Sequence, residues 1–220
     1  MSDAVATALW LSVRVSILAT LAAALVGIPL AYLLAKRRFW GHQALDVFVM
    51  LPLVLPPTVT GYYLIVLLGR RGWLGGPLYE LTGFSLPFTW YAAVVASAVM
   101  ALPLLVRPAR AAIESVNPDL ERAAYVLGRS EWRTALEVTL PLARRGIVAG
   151  AVLAFARALG EFGATLMLAG NIPGRTTTVP LAIYTAVSTG ETAEAQFLVL
   201  LLTTLSCAVV VIAGRLGSRL

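Results

Sequence analysis

Residues that build disulfides and metal centres are nearly missing from this sequence. Its 220 residues include one cysteine and one histidine. A single cysteine excludes an internal disulfide and a thiol-ligated metal cluster, and a single histidine excludes the paired-histidine pattern of helical zinc sites. Cys207 lies in an apolar run, so we expect it to be a buried small side chain. We expect His42 to be a solvated loop residue.

Charged residues are also scarce. They make up 13% of the chain, whereas hydrophobic residues make up 59%, and soluble domains are about 25% charged. The apolar runs approach or exceed the ~20 residues that cross a ~30 Å hydrocarbon core as a helix. We therefore predict one all-helical membrane domain that occupies residues 1–220 and uses the lipid bilayer as its solvent.

The sequence also has no phosphate-binding loop. The glycines at 72, 75 and 76 lack the lysine of the Gly-x-x-x-x-Gly-Lys-Ser/Thr motif, and no nucleophile set of an enzyme is recognisable. The net charge of +6 does not indicate nucleic-acid binding, because the lysines and arginines lie between apolar segments rather than along one face. We expect a chain without catalytic residues, a metal site or a cofactor of its own.

Five apolar segments predict about five transmembrane helices, at residues 6–35, 46–68, 89–113, 146–169 and 195–213. The second segment contains Pro52, Pro56 and Pro57, which remove backbone donors, so we expect it to be broken or kinked. Four tryptophans fall at predicted span ends, where indoles prefer the headgroup zone. They are Trp10, Trp40, Trp73 and Trp90.

The distribution of positive charge predicts the orientation. Of the 17 lysines and arginines, ten follow the first, third or fifth segment and two more, Arg107 and Arg110, lie at the end of the third, which makes twelve on one side. Three lie in the other connections. Cytoplasmic connections retain positive charge. The N-terminus is therefore predicted outside the cell, and the C-terminus and the polar stretch 114–145 inside.

That polar stretch reads as two short helices around a glycine turn. Asn117 can cap the first helix and Pro118 suits its first turn. Gly128 can adopt a positive φ to end it, Ser130 can cap the second helix, and Pro141 can stop it. We expect a rigid, exposed cytoplasmic loop.

The first of these short helices carries a small apolar ridge. Leu120, Ala123, Ala124 and Leu127 share one face by helical spacing. Such a ridge either docks another protein, with charges such as Glu121 forming ion pairs at the rim, or lies on the bilayer surface. The spacing alone leaves both readings open.

The pattern of Glu121, Ala123, Ala124 and Gly128, with Leu140 and Pro141 twelve residues later, resembles the EAA loop of bacterial ABC importer permeases of type I. The resemblance implies that this loop forms coupling helices that dock in a groove of a separate ATPase subunit, which binds ATP and magnesium. The implied coupling residues are Glu121, Ala123, Ala124, Gly128, Trp132, Leu140 and Pro141.

Three further stretches narrow the resemblance. Residues 51–63 (LPLVLPPTVTGYY), 155–165 (FARALGEFGAT) and 170–180 (GNIPGRTTTVP) are similar to the molybdate permease branch of that family. This likeness implies a homodimer in the cytoplasmic membrane with two ATPase subunits and an extracytoplasmic oxyanion-binding protein. The implied function is inward transport of molybdate by alternating access. Alternatives are tungstate, sulfate or thiosulfate as cargo, or a secondary transporter that needs no ATPase.

Two ionisable residues lie inside the fourth segment. Arg157 and Glu161 are four residues apart, so they can pair on one helix, and an unpaired charge in a span is costly. The pair either holds the segment against its neighbours or takes part in gating. A negative Glu161 would repel an oxyanion, so we do not expect it to bind the cargo directly.

The proline-broken second segment offers neutral hydroxyl groups instead. Such backbone is tolerated at membrane depth only where protein or a water-filled cavity satisfies it. Its hydroxyls either face a pathway or serve helix packing. The full set of pathway or gate candidates is Pro56, Pro57, Thr58, Thr60, Tyr62, Arg157, Glu161 and Thr165.

Overall fold

The computed structural model of the chain describes residues 3–219, with side chains described as far as residue 211. All regular elements in this part of the chain are helices, which confirms the predicted all-helical class. In order they are α1 (Asp3–Lys36), α2 (His42–Val54), α3 (Pro57–Leu68), α4 (Gly75–Thr82), α5 (Trp90–Glu114), α6 (Pro118–Val126), α7 (Glu131–Thr134), a π-helical turn (Ala135–Thr139), α8 (Leu140–Leu142), α9 (Arg144–Leu159), α10 (Gly163–Ala169), α11 (Val179–Thr189) and α12 (Thr192–Arg219).

Three helices of the described chain, α1, α5 and α12, are long and apolar enough to cross a membrane. Two bent helix pairs bring the number of spans to as many as five, which agrees with the expected count. One pair is α2 with α3, bent by 119°, and the other joins the helix over residues 131–142 to α9 with a bend of 74°.

The centre of the bundle is a close packing of α5 against α1 and α9. Small residues at helical spacing form the buried face of α1, namely Ala8, Ser12, Ala19, Ala23 and Gly27. Small residues let helix backbones approach closely in a membrane. A Cβ added at Gly27 would lie 2.8 Å from Leu105 Cδ2, so a larger residue there would displace the Leu105 side chain at the contact of α1 with α5.

The second predicted segment is broken as expected, but the break turns the chain through 119° rather than kinking one span. The amide of Leu55 makes the last helical bond of α2, to the carbonyl of Leu51. Pro56 and Pro57 follow and have no N–H to continue the ladder, whereas Pro57 suits the first turn of α3. The prolines therefore end one helix and start another.

The fourth predicted segment is not continuous, which corrects the expectation of one helix over 146–169. It is divided into α9 and α10 at residues 160–162, without any proline. The Glu161 carboxylate accepts a hydrogen bond from the Ala164 amide at 2.8 Å and so satisfies a free donor at the start of α10. At this break the Glu161 carboxylate thus accepts the hydrogen bond that a backbone carbonyl would accept in a continuous helix.

Two isolated side chains also differ from expectation. Cys207 is exposed rather than buried, because it lies on α12, whose apolar surface is mostly uncovered by the rest of the chain. His42 begins α2 and is half-buried, with Nε2 3.0 Å from the Leu34 carbonyl oxygen. It therefore helps to fix the turn between α1 and α2.

Candidate coupling and pathway sites

The loop between α5 and α9 has the local structure that its sequence predicts. Asn117 caps α6, its side-chain oxygen accepting from the Asp119 amide at 2.9 Å, and Pro118 occupies the first turn. Gly128 has a φ of 79°, a left-handed conformation that favours glycine and turns the chain after α6. Ser130 caps α7, accepting from the Arg133 amide at 3.4 Å. The loop is therefore a capped helical hairpin.

The second half of this hairpin contains a feature that the sequence did not predict. After α7 the chain forms a π-helical turn over Ala135–Thr139, continues into α8 and then bends into α9. The expectation that Pro141 stops the second helix is wrong, because the helical path continues to Leu142 and Pro141 lies in the first turn of α8. Pro141 cannot donate to the carbonyl four residues earlier, so it interrupts regular α-helical bonding without ending the helix. Wide turns of this kind are frequent at functional positions.

Glu121 points into the protein rather than toward the rim. Its Oε2 atom is 2.8 Å from Lys36 Nζ, and its Oε1 accepts from the Thr139 hydroxyl at 2.6 Å. The Glu121 side chain is 12% exposed. We call Lys36, Glu121 and Thr139 the internal lock, because they join the end of α1 to both halves of the hairpin. The expected rim ion pair of Glu121 is thus an internal one.

The predicted apolar ridge is divided between two faces of α6. Ala124 is buried against the rest of the chain, whereas Leu120, Ala123 and Leu127 are exposed. Leu127 has 81% of its surface uncovered. We call Leu120, Ala123 and Leu127 the outer apolar patch. The internal lock and Ala124 lie on the face of α6 that packs against the rest of the chain. The outer apolar patch therefore faces away from the bundle.

The remaining predicted coupling residues lie in the second half of the hairpin. Trp132 is 70% exposed and extends the apolar surface beyond α6. Leu140 is half-buried and packs on the cluster around Leu34, Val106 and Ile113, whereas Pro141 is exposed. The seven predicted residues therefore include both supporting and surface positions.

A second ion pair reinforces the lock. Arg37, which follows the last residue of α1, pairs with Glu131. Lys36 and Arg37 therefore each bind one acidic residue, Glu121 in the first half of the hairpin and Glu131 in the second. Burial raises the pKa of the nearby Tyr125 hydroxyl, and the carboxylates of Glu121 and Glu131 raise it further. Tyr125 therefore remains a neutral donor. In the sequence Lys36 and Arg37 contribute only to the charge count that predicts orientation, and no local pattern indicates these contacts.

Arg157 and Glu161 form the predicted ion pair, with Arg157 Nη1 2.6 Å from Glu161 Oε2. The Glu161 side chain is 1% exposed and also caps α10 through the Ala164 amide. Both contacts are within the chain. The geometry thus favours the packing role of the pair over ligation of a cargo.

The hydroxyl candidates are not gathered in one cavity. Thr60 borders an apolar cavity of about 460 Å³ in the bend between α2 and α3. Thr58 and Tyr62 lie on the exposed side of α3, and Pro56 before them is exposed as well. Thr165 is buried on α10, and its hydroxyl has no described hydrogen-bond partner. Among the hydroxyl candidates, Thr58 and Tyr62 are therefore the two that are exposed on the surface of the chain.

Close packing of α3 on α10 explains why residues 61 and 163 are glycines. A Cβ at Gly61 would lie 2.7 Å from Met167 Cβ and 2.9 Å from Ala164 Cα. A Cβ at Gly163 would lie 2.9 Å from Pro57 Cβ, which places Pro57 at this contact. These glycines therefore serve an interface within the chain.

The described chain is thus a bundle of apolar helices of membrane-spanning length, with an ion-paired hairpin that presents an exposed apolar patch. The profile of one family, described as the binding-protein-dependent transport system inner membrane component, matches residues 27–220. The chain belongs to this family. It is a transport subunit of the inner membrane rather than an enzyme, which confirms the resemblance drawn from the sequence.

Curated relatives match along most of their length. The molybdenum transport system permease protein ModB of Escherichia coli (strain K12) is 49% identical over 195 residues, 88% of this chain and 85% of the relative. ModB of Haemophilus influenzae is 46% identical over 183 residues, 83% and 80% of the two chains. A putative molybdenum transport permease of Bacillus subtilis is 43% identical over 181 residues, 82% and 80% of the two chains.

Solved structures share the fold. A bacterial ABC transporter that imports alginate matches with a TM-score of 0.79 at 18% identity, covering all of this chain and 81% of the other. The inward-facing methionine transporter MetNI matches with a TM-score of 0.76 at 18% identity, covering all of this chain and 99% of the other. The type of fold predicted from the sequence is thereby confirmed.

Proposed function

We propose that this chain, as one permease domain over residues 1–220, forms half of the pore through which an ATP-driven importer carries molybdate into the cell. The observation that carries the proposal is the 49% identity to ModB over 85% of that protein's length. Three curated relatives from different bacteria carry molybdenum transport in their names. Tungstate and sulfate or thiosulfate are the alternative cargoes.

The proposed assembly contains two copies of this chain, two ATPase subunits that bind ATP and magnesium, and an extracytoplasmic oxyanion-binding protein. The outer apolar patch supports the ATPase contact. It is exposed, yet its helix α6 is held by the ion pair of Glu121 with Lys36, and the following helix α7 is held by the ion pair of Glu131 with Arg37. A rigid apolar surface binds a partner with little loss of conformational freedom.

In the proposed mechanism the internal lock transmits movement of the docked hairpin to the spans. Glu121 touches both α1 and the π-helical turn, so displacement of α6 acts on two elements at once. The turn then leads through α8 into α9. Glu121, Ala124 and Leu140 are supporting residues in this scheme, while Ala123, Trp132 and Pro141 belong to the docking surface.

The pathway itself is proposed to follow the exposed side of α3. Thr58 and Tyr62 are neutral hydroxyl donors one helical turn apart, and Pro56 leads into them. Neutral donors let a doubly charged anion pass without trapping it. Arg157 and Glu161 hold the neighbouring α9 to α10 break in shape.

Transport by the reconstituted complex tests the proposal. The chain is incorporated into proteoliposomes with its ATPase and binding protein, and uptake of molybdate, tungstate, sulfate and thiosulfate is measured with and without ATP. We expect ATP-dependent uptake with molybdate preferred. Preferred uptake of another oxyanion would show that this oxyanion, and not molybdate, is the cargo. Uptake by the chain without the ATPase would establish a secondary transporter.

A further inference from the structure

A cationic pocket lies far from the coupling hairpin and has no part in the proposed function. Its volume is about 380 Å³, and α1, the start of α5 and the loop before α11 border it. Arg14 and Arg175 line it together with the hydroxyl-bearing Thr7 and Thr89, and none of its lining residues is acidic. A pocket with two cations and no carboxylate is complementary to an anion.

Neither arginine is neutralised by the described part of the chain. No ion pair involves Arg14 or Arg175 there, and both residues are exposed. The guanidinium carbon of Arg14 lies 4.0 Å from the ring centre of Trp90. Stacking uses the face of the guanidinium and leaves its N–H edge free, so the indole orients a fork of donors that suits a phosphate group.

The depth of the pocket follows from α1. Arg14 and Lys36 are 22 residues apart on one helix, which corresponds to ~33 Å at 1.5 Å per residue. A bilayer hydrocarbon core is ~30 Å thick. Because Lys36 belongs to the internal lock, Arg14 lies one membrane thickness away from the hairpin, at the headgroup level of the opposite surface.

An apolar groove continues from this pocket toward the middle of the membrane. Its volume is about 740 Å³, and it shares Trp90 and Tyr91 with the cationic pocket. Leu18, Val94 and Val95 line it, together with Phe84 and Leu86 from the loop before α5. Leu18 lies one turn further along α1 from Arg14, and Val94 lies one turn further along α5 from Trp90. Charge and apolar surface are therefore stacked in the order of a lipid's headgroup and acyl chain.

We propose that this site binds an anionic phospholipid, with its phosphate between Arg14 and Arg175 and an acyl chain in the groove. Two unpaired cations favour a lipid with net negative charge over a zwitterionic one. The exposed indole of Trp10 and the ring of Tyr91 supply aromatic groups at the same level, as at membrane interfaces generally. A free oxyanion would use the arginines and leave the groove unused.

Lipid binding to the purified permease–ATPase complex tests the site. The complex is delipidated in detergent, titrated with phosphatidylglycerol or phosphatidylcholine, and examined by native mass spectrometry. We expect preferential retention of phosphatidylglycerol, with affinity lowered about tenfold by Arg14→Gln or Arg175→Gln, as loss of a charge-assisted contact to phosphate implies. Arg71→Gln, an exposed arginine outside the pocket, is the matched control and should bind like the wild type.

Folding and free anions are examined in parallel. Arg175 lies in an exposed loop, so Arg175→Gln should keep the wild-type melting temperature even if Arg14→Gln does not. Equal phosphatidylglycerol binding by wild type and Arg175→Gln would overturn the proposal. So would arginine-dependent binding of inorganic phosphate or molybdate that displaces the lipid, which would identify a free oxyanion as the ligand.

Discussion

Lys36 shows how one residue acquires a role that its position in the sequence does not reveal. As the last residue of α1 it suits the negative end of the helix dipole. In the folded chain it also pairs with Glu121, 85 positions away. No local pattern joins two residues at that separation, so the sequence identifies Glu121 as a candidate but places its ion pair at the rim.

The lock predicts a measurable coupling between Lys36 and Glu121. We expect Lys36→Met or Glu121→Gln to lower stability by about 1–3 kcal/mol, since each leaves a partly buried charge without its partner. The double variant should cost less than the sum of the two single variants. Thermal unfolding of the detergent-solubilised variants measures these losses of stability.

Asp119→Asn, which removes an exposed ion pair with Arg122, is the control and should have little effect. Additive losses would show that the lock contributes no pair energy.

Glu161 has two separable functions, and substitution should separate them. Glu161→Gln removes the charge facing Arg157 but keeps an oxygen that can accept from Ala164, whereas Glu161→Ala removes both. We expect the alanine variant to be less stable than the glutamine variant by about 1 kcal/mol, the value of a cap. Melting temperatures provide the comparison. Identical losses would mean that the cap contributes nothing.

At the scale of elements, local signals predicted the hairpin well. Asn117, Pro118, Gly128 and Ser130 each took the expected position, because caps and turns depend on a few neighbouring residues. The faces of α6 were less predictable. Leu120 and Ala124 share a helical stripe, and it is the packing of α6 in the folded chain, where it contacts α7 and the π-helical turn, that buries Ala124 and leaves Leu120 exposed. The break at Glu161 is harder to predict, because no proline marks it. Gly160 and Gly163 flank it, but glycine is also frequent inside continuous membrane helices.

Two glycines of the same conformation give a matched test of the hairpin. Gly128 and Gly83 both have positive φ, and a Cβ at either would meet no atom within 4 Å. Valine at each should therefore cost a similar ~1–2 kcal/mol of backbone strain. Only Gly128→Val alters the angle between α6 and α7, so we expect it alone to reduce ATPase association and ATP-driven transport. Co-purification of the ATPase and vesicle uptake are the measurements. If Gly128→Val retains both, the hairpin is not the coupling element.

The contact between α3 and α10 predicts a contrast between two other glycines. Gly61→Ala inserts a methyl group 2.7 Å from Met167 Cβ and should destabilise the chain by about 1–3 kcal/mol, as overpacking does. At Gly76, on α4, the nearest atom to an added Cβ is 3.8 Å away, so Gly76→Ala should be neutral. Unfolding in detergent compares them. Equal stability of the two variants would contradict the close approach of these helices.

For the whole molecule, amino-acid composition is sufficient to predict a membrane protein, and the spacing of the motifs is sufficient to predict its family. The path of the chain was only partly predictable. The proline pair predicted a break between α2 and α3 but not its 119° angle, which depends on packing of α3 against α10. The pathway residues were least predictable, because a small hydroxyl side chain has the same sequence signature in a helix contact and beside a pore.

Labelling tests the proposed orientation. In a Cys207→Ser background, single cysteines are placed at the exposed positions Ser130 and Leu81. If the N-terminus is outside, a membrane-impermeant maleimide added to intact spheroplasts should modify residue 81 and leave residue 130 unmodified until the membrane is permeabilised. Labelling of residue 130 alone in intact spheroplasts would reverse the orientation.

The length of α1 has a mechanical consequence. Its 34 residues form one helix with a rise of ~51 Å, well beyond the ~30 Å hydrocarbon core. Such a helix adjusts its tilt to bilayer thickness. Because Lys36 and Arg37 join its end to the hairpin, a change in tilt would shift the height of the hairpin relative to the membrane. If the hairpin docks the proposed ATPase, we therefore expect the acyl-chain length of the host membrane to affect the rate of transport.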